Sequence, residues 1–371
     1  MVIILTYQRS GSTFFGQIFN RNPKAFYAYE PLDGLYSAIY GTAQGYNAPS
    51  DIVQSWNGTQ RMIPDFEIRS SAAVLDNLLT CKHDTLPTEI ITNIFWVGFR
   101  SEHLTVNDYL ECLINHKISY NNCRAKIKLC KTWFGQKDSK QLRCRDQLWK
   151  DTSPNTKPTT REFKAYSKCM DNFRQRASPC FPKLTEACIS TDIRSTKVVR
   201  LSMRAVEVLL KRHPKRLKVS TMLCLLSVIS DDDRMNIKVL HLLRNPKAVV
   251  LSRMKYESVR GHFAGQNKTA EAITLCKIIQ EDLVIRHRLE HKYPDVFYQI
   301  IYEEFTKDPV GVTRNVYKHI GKPLPKVVEE FVLSKTSQNN TGPVKGLTKT
   351  ETRQIDSVCS ELYYNVPYKW Q

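Results

Sequence analysis

The order of apolar and polar positions divides the first 31 residues into strand, loop, helix and strand. Val2–Thr6 is a continuous apolar run, typical of a buried strand, and a polar loop over 7–11 follows it. The next apolar positions recur at the spacing of one helix face: Phe14, Phe15, Ile18 and Phe19. Asn22-Pro23 is predicted to end this helix and Ala25–Tyr29 to form a second strand. A strand–helix–strand unit of this kind predicts a parallel sheet.

A second unit with the same order lies near the other end of the chain. Ile237–Leu243 is predicted to be a strand, and Asn245-Pro246 fits a helix cap with proline at the first helical position. Further predicted elements are a helix over 247–256, a long helix over Thr269–Glu290 and a strand over Val296–Tyr302. The two units together predict the α/β class, with a P-loop-like parallel β-sheet flanked by helices.

The composition between these units is different. Lys117–Lys218 contains 26 lysines and arginines against 8 acids, whereas the whole chain has 55 against 36 and a formal charge of +19. Nearly all of the excess charge therefore lies in this segment. We interpret residues of about 81–190 as a basic, cysteine-rich cap insertion. It belongs to a single domain, 1–371, with a core of about 1–40 and 191–371.

The charge predicts a polyanionic partner: nucleic acid, anionic glycan or acidic membrane. The alternative is a basic face that only water contacts. No zinc-finger, RNP-type or helix-turn-helix motif is present, which argues against nucleic acid. No apolar run reaches the roughly 18 residues that span a bilayer. The longest run, Val219–Ile229, contains Ser and Thr and is predicted to be a core helix or strand.

The cysteines and glycosylation motifs bear on the compartment. Eight of the eleven cysteines lie within the cap insertion, without a CxxC pair or zinc-type spacing, so they are expected to form disulfides rather than bind metal. Cys224 and Cys276 are expected to be buried and inert. Three N-x-S/T sequons favour an oxidising, glycosylating lumen: Asn57, Asn267 and Asn339.

The N-terminus gives no visible entry to such a lumen. The apolar run Val2–Leu5 is too short for the hydrophobic region of a signal peptide. Two interpretations stay open. Either a membrane anchor precedes the given sequence, or the protein is cytosolic.

The loop Tyr7-Gln8-Arg9-Ser10-Gly11-Ser12-Thr13 has the residue types of an anion site. A glycine turn at a helix start presents N–H groups and the positive end of the helix dipole. Ser12 and Thr13 can add hydroxyl donors, and Arg9 a planar cation. The first glycine and the Gly-Lys-[Ser/Thr] ending of a Walker A loop are missing, which argues against a kinase. The structural alternative is a capped helix beside a surface arginine.

A second candidate for anion binding is Arg244 with Ser252. Arg244 follows a predicted strand, where ligand-binding groups collect in parallel sheets. Ser252 lies about two helical turns further on. The alternative is an ion-paired or surface arginine.

The two motifs together resemble a known family. Residues 6–31 resemble the 5′-phosphosulfate loop of the Golgi carbohydrate sulfotransferases, in the branch of galactose/N-acetylgalactosamine/N-acetylglucosamine 6-O-sulfotransferases. Residues 239–254 resemble that family's 3′-phosphate site, with the Arg-to-Ser spacing kept. Weaker similarities are found at Lys197–Leu201, Tyr302–Phe305 with Pro309, and Cys359–Tyr368. The resemblance spans essentially the whole chain, more loosely over 40–190.

The resemblance implies the sulfotransferase fold and 3′-phosphoadenylyl sulfate as the sulfuryl donor, with no metal. The acceptor would be a sugar hydroxyl, namely the 6-OH of Gal, GalNAc or GlcNAc in an anionic or neutral glycan, and the location a Golgi lumen reached by a type II membrane anchor. The resemblance implies that the 5′-phosphosulfate is bound by Arg9, Ser10, Gly11, Ser12 and Thr13, and the 3′-phosphate by Arg244 and Ser252. It implies a catalytic role for Arg9 and for Glu30, the latter as general base. Lys197 and Arg200 would contact the donor or the acceptor.

Several alternatives stay open beside this assignment. Glu30 could instead cap a turn or pair with an arginine, and Lys197 and Arg200 could form a solvated or ion-paired strand end. His241, inside an apolar strand, is expected to be a core histidine. The chain also departs from the family pattern at three places: Ile279 for a tryptophan, Ile301 for an arginine, and a short segment over 341–352. The second hypothesis is therefore a catalytically inactive, glycan-binding relative on the same fold.

Overall fold

The structure of the protein is a computed structural model that describes residues 1–34, 65–92, 101, 103–117, 161–199, 201–213, 236–259, 268–336 and 346–366. Several sequence predictions lie outside the described residues: Arg200, Cys224, Val219–Ile229, the sequons at Asn57, Asn267 and Asn339, and most of the basic segment from 118 to 160.

Five parallel strands form the centre of the fold. They are β1 (Val2–Thr6), β2 (Ala25–Tyr29), β3 (Ile193–Val198), β4 (Lys238–Leu243) and β5 (Phe297–Ile301), in the order β2-β3-β1-β4-β5. The predicted α/β class and parallel sheet are confirmed. The bounds of β1 and β2 match the prediction. Tyr302 does not extend β5 but begins the next helix.

Helices cover the sheet. In chain order they are α1 (Ser12–Asn20), α2 (Asp65–Leu79), α3 (Thr88–Ile91), α4 (Asn107–Asn115), α5 (Arg161–Ala177), α6 (Phe181–Ile189), α7 (Met203–Arg212), α8 (Pro246–Val259), α9 (Lys268–Lys292), α10 (Tyr302–Lys307), α11 (Pro309–His319), α12 (Lys326–Thr336), α13 (Lys349–Val358) and α14 (Ser360–Asn365). Short 3-10 turns occur at His83–Thr85, Leu104–Val106 and Ser178–Cys180.

Alternation along the strands builds a core on each face of the sheet. Ile3 and Leu5 belong to one apolar cluster, and Val2 and Ile4 to the other, as the two-residue period of a strand requires. The face that carries Val2 and Ile4 is covered by α1 and by helices that follow β5. The Ile3–Leu5 face is covered by α2, α7, α9 and the described helices of the cap insertion.

The described part of the cap insertion is mainly helical. In α5 the buried positions follow a helical period: Tyr166, Met170, Phe173 and Ala177. These residues belong to the apolar cluster that contains Ile3 and Leu5. The disulfides Cys81–Cys188 and Cys112–Cys180 cross-link the insertion, as predicted for its cysteines.

The predicted burial of Cys276 is confirmed, but its pairing was not predicted. Cys276 on α9 is buried, but it forms a disulfide with Cys359, whose Cα lies 5.4 Å away. The two cysteines are 83 residues apart, so only the packing of α13 and α14 against α9 brings them together. This bond ties the C-terminal helices to the core.

None of the helices within the described residues is long and apolar enough to cross a membrane.

Candidate functional site

The loop between β1 and α1 makes a left-handed turn. Ser10 N–H donates to the Tyr7 carbonyl at 3.1 Å, and the φ angles of Arg9 and Gly11 are 70° and 81°. For a residue other than glycine this conformation costs about 1–2 kcal/mol, a strain typical of functional loops. The first N–H groups of α1 have no acceptor inside the helix, and its first turn has no acidic residue. The loop therefore suits a bound anion.

Two buried donors at this loop have no protein acceptor. Among the described residues, Ser10 Oγ and Arg244 Nε are buried polar atoms without a hydrogen-bond partner. Ser10 is only 1% exposed. A buried donor without an acceptor costs about 1–3 kcal/mol. An anion in the loop would supply the missing acceptors.

Strand order brings the second predicted motif to this loop. β4 lies beside β1, with Leu242 opposite Thr6, so both strands end at the same edge. Arg244 Nη1 donates to the Arg9 carbonyl at 3.0 Å, and Arg9 Nε donates to Ser252 Oγ at 3.0 Å. The two predicted motifs therefore form one cationic surface.

The start of α8 is fixed by its predicted cap. The side-chain oxygen of Asn245 accepts from Lys247 N–H at 2.9 Å, with Pro246 at the first helical position. This cap sets the direction of the helix that carries Ser252.

Glu30 and Lys197 form a buried ion pair where β2 and β3 end. Tyr29 and Lys197 are register partners on β2 and β3. Lys197 Nζ lies 2.5 Å from Glu30 Oε1, and Val199 N–H donates to Glu30 Oε2 at 3.3 Å. Burial alone would lower the pKa of Lys197, but the Glu30 carboxylate and Tyr29 raise it above its ordinary value. The partner of Glu30 is thus a lysine rather than the arginine considered above.

Tyr29 connects this ion pair to the loop between β1 and α1. Its hydroxyl lies 3.2 Å from Thr13 Oγ1, and Lys197 Nζ lies 4.0 Å from the centre of its ring. His103 packs edge-on against Tyr29, with ring centres 5.8 Å apart. Burial and the nearby Lys197 charge lower the pKa of His103 to about 3, so the imidazole is neutral. Sequence reasoning gave no role to Tyr29 or His103.

A buried polar network supports the loop from behind. The Tyr7 hydroxyl donates to Asp282 Oδ2 at 2.9 Å and lies 2.9 Å from His241 Nε2. Met203 N–H donates to Asp282 Oδ1 at 2.8 Å, and Arg286 Nη1 lies 3.4 Å from His241 Nδ1. Burial raises the pKa of Asp282 to about 7 and lowers that of His241. His241 is the core histidine that the sequence predicted.

One group of potential metal ligands occurs among the described residues: Cys112, His116 and Cys180. The two cysteines are joined as a disulfide with an S–S distance of 2.04 Å. Their sulfurs are therefore not thiolate ligands in this structure.

A comparison with protein families decides the family of the chain. Residues 1–359 match the model described as the sulfotransferase domain. The chain belongs to the sulfotransferase family. The matched region includes both arginine motifs, the Glu30–Lys197 pair and most of the C-terminal helices.

Curated relatives of the sulfotransferase are distant. Carbohydrate sulfotransferase 3 of Rattus norvegicus is 23% identical over 381 residues, covering 99% of this chain and 63% of the relative. Carbohydrate sulfotransferase 5 of Mus musculus is 26% identical over 150 residues, covering 37% of this chain and 38% of the relative. A 40-residue stretch is 45% identical to carbohydrate sulfotransferase 2 of Homo sapiens, covering 11% of this chain and 8% of the relative.

The chain thus spans about 63% of the length of the first of these relatives. No solved structure matches the sulfotransferase chain significantly.

Ile279 and Ile301, where the family resemblance led us to expect a tryptophan and an arginine, lie in the apolar core. Ile279 is 1% exposed and Ile301 is 4% exposed, and both belong to the apolar cluster on the Ile3–Leu5 face. Both side chains are therefore packing groups in this structure.

Proposed function

We propose that this sulfotransferase transfers the sulfuryl group of 3′-phosphoadenylyl sulfate to the 6-hydroxyl of Gal, GalNAc or GlcNAc in a glycan. The observation that carries the proposal is that two arginine motifs meet at one edge of the sheet. Arg244 donates a hydrogen bond to the Arg9 carbonyl, and Arg9 donates one to Ser252. A donor with both a 5′-phosphosulfate and a 3′-phosphate presents two anions to such a surface.

The proposed assignment divides this surface in two. Arg9, the Ser10 hydroxyl and the N–H groups at Gly11, Ser12 and Thr13 bind the 5′-phosphosulfate. Arg244 and Ser252 bind the 3′-phosphate. The second anion distinguishes this donor from ATP, which has a free 3′-hydroxyl. Side-chain cations and N–H donors supply the positive charge, so the proposal needs no metal ion.

In the proposed reaction the sugar oxygen attacks sulfur in line with the bond to the bridging oxygen. The new S–O bond forms as the bridging S–O bond breaks, and adenosine 3′,5′-bisphosphate leaves with the electron pair. Negative charge grows on the bridging oxygen. Arg9 and the loop N–H groups stabilise it, and one preorganised donor of this kind is worth about 3–4 kcal/mol.

We assign Glu30 as the general base that accepts the proton of the sugar hydroxyl. Its carboxylate lies at the end of β2, and Tyr29 beside it contacts Thr13 of the loop. Lys197 fixes the position of the Glu30 carboxylate, since Lys197 Nζ lies 2.5 Å from Glu30 Oε1 and both side chains are buried. Lys197 thereby becomes a positioning residue for the base, and Arg200 stays a proposed donor or acceptor contact.

The acceptor is proposed to be an anionic or neutral glycan rather than nucleic acid. The excess of lysine and arginine between Lys117 and Lys218 would attract an anionic glycan, with contacts that weaken as salt is added. The three described disulfides support an oxidising compartment, for which we propose the Golgi lumen.

A non-catalytic, glycan-binding relative is the second candidate. The observation that favours it is the ion pair of Glu30, which is 3% exposed and bound to Lys197. A carboxylate held in this way also has a purely structural role, in which it neutralises a buried lysine.

Sulfate transfer tests the two candidates directly. The parent and Glu30→Gln would be incubated with 35S-labelled 3′-phosphoadenylyl sulfate and desulfated keratan, desulfated chondroitin or GlcNAc-terminated oligosaccharides. We expect label in a glycan from the parent, at O6 by NMR, and little from the variant. No labelled product from any acceptor, with glycan binding intact, would support the non-catalytic relative.

A further inference from the structure

Tyr302 lies between the two arginine motifs. It begins α10 directly after β5, and its ring packs against Gly11 so closely that a Cβ on this glycine would lie 2.0 Å from Tyr302 Cε2. The guanidinium carbon of Arg244 lies 4.7 Å from the centre of the same ring. One aromatic side chain thus contacts the loop proposed for the 5′-phosphosulfate and the arginine proposed for the 3′-phosphate.

The next residue reinforces this arrangement. Glu303 Oε1 accepts a hydrogen bond from Asn245 N–H at 3.0 Å. Asn245 follows Arg244 and caps the helix that carries Ser252. Tyr302 and Glu303 therefore contact both motifs from a third element of the fold.

The core holds the Tyr302 ring in place. The ring packs against Phe305, with centres 6.5 Å apart, and Phe305 is fully buried against Phe15 of α1 at 5.2 Å. Tyr302 is half-buried, and its packing against this core restricts the rotamers of its side chain. The ring is therefore suited to act as a rigid spacer between Gly11 and Arg244.

We infer that Tyr302 is a positioning residue that holds Arg244 at a fixed distance from the Gly11 loop and so sets the preference for a nucleotide with both 3′- and 5′-phosphates. The inference rests on the proposed function. A guanidinium stacked on an aromatic face has fewer orientations to lose when it binds phosphate. The ring makes both contacts, so the hydroxyl is dispensable.

The test is the ratio of two affinities. Calorimetric titration of adenosine 3′,5′-bisphosphate and of AMP gives the preference of the parent for the 3′-phosphate. We expect Tyr302→Leu to lower this preference about tenfold and Tyr302→Phe to keep it. Tyr298→Leu is the matched control, because Tyr298 lies on β5 with its ring 5.1 Å from His319. It should also keep the preference.

Three results would overturn the inference. A preference in Tyr302→Leu within twofold of the parent removes the role of Tyr302 and leaves the proposed function standing. An equal loss in Tyr298→Leu shows a general effect of losing a tyrosine. A parent without any preference for the bisphosphate overturns the proposed function as well. Circular dichroism checks folding, and Tyr302→Met provides a second variant without the ring.

Discussion

Arg9 donates a hydrogen bond from Nε to Ser252 Oγ at 3.0 Å, although the two residues are 243 positions apart in the chain. Adjacent strands make this contact possible, because β1 and β4 end at one edge and each continues into a loop and helix. The first loop is therefore completed by a side chain of the second motif. An anion bound at either motif would affect the other.

Removal of the Arg9 side chain tests its role in charge stabilisation. We expect Arg9→Ala to lower kcat/KM for sulfate transfer at least about 100-fold, as loss of one preorganised donor does in other enzymes. Ser252→Ala keeps the cation and should mainly raise the donor KM, by about tenfold or less. Steady-state kinetics with varied donor separates the two effects. Unchanged kcat/KM in Arg9→Ala would contradict the role of Arg9.

Gly11→Ala tests the close approach of Tyr302 to the loop. The added methyl would meet the ring at 2.0 Å, and the backbone φ of +81° disfavours alanine. Gly321→Ala is the matched control, since its φ is +70° and nothing lies within 4 Å of an added Cβ. Both variants should lose about 1–2 kcal/mol of stability from the backbone.

Gly11→Ala should lose more stability than Gly321→Ala. It alone should also lose affinity for adenosine 3′,5′-bisphosphate. Urea unfolding and calorimetric titration measure the two quantities. Equal behaviour of the two alanine variants would show that the ring contact with Gly11 has no energetic weight.

Single and double variants of the Glu30–Lys197 pair distinguish a catalytic role of Glu30 from a structural one. Breaking a buried ion pair by neutralising one partner costs about 3–5 kcal/mol, so Glu30→Gln and Lys197→Met should each be less stable. The double variant should recover part of this loss. If Glu30 is the base, the double variant still loses turnover at least about 100-fold, while bisphosphate affinity is kept. Full turnover in Glu30→Gln would contradict the assignment.

The pH dependence of stability tests the buried network under the loop. Burial raises the pKa of Asp282 to about 7 from an ordinary 3.8, so the folded state holds this proton more tightly than the unfolded state. Its contribution to stability is full below about pH 4 and is lost as the pH rises through about 7, by up to about 1.4 kcal/mol per pH unit.

Asp282→Asn should remove that pH dependence, so its stability relative to the parent should rise between pH 4 and pH 7. Urea unfolding at several pH values measures this difference. Glu281→Gln, at an exposed neighbouring position of α9, should leave most of the slope unchanged. An Asp282→Asn slope equal to that of the parent would show that Asp282 titrates normally.

Local patterns in the sequence were sufficient to predict β1, β2, β4 and β5 and the loop that joins β1 to α1. The apolar run of β1, the Asn245-Pro246 cap and the alternation that separates the two faces are all properties of neighbouring residues. The juxtaposition of Arg9 with Arg244 also follows once the sheet is known to be parallel, because strand ends then share an edge.

Contacts between distant residues could not be predicted in this way. The Cys276–Cys359 disulfide depends on how the C-terminal helices pack on α9, and the partner of Glu30 depends on the pairing of β2 with β3. Tyr302 was expected to end a strand, and only the turn into α10 places its ring against Gly11. Sequence spacing carries no signal for such contacts.

If one nucleotide occupies both anion sites, calorimetric titration with adenosine 3′,5′-bisphosphate, AMP and ADP should distinguish the three ligands. We expect clear preference for the 3′-phosphorylated ligand, and loss of that preference in Arg244→Ala. Equal binding of all three ligands, or no binding of any, would contradict it.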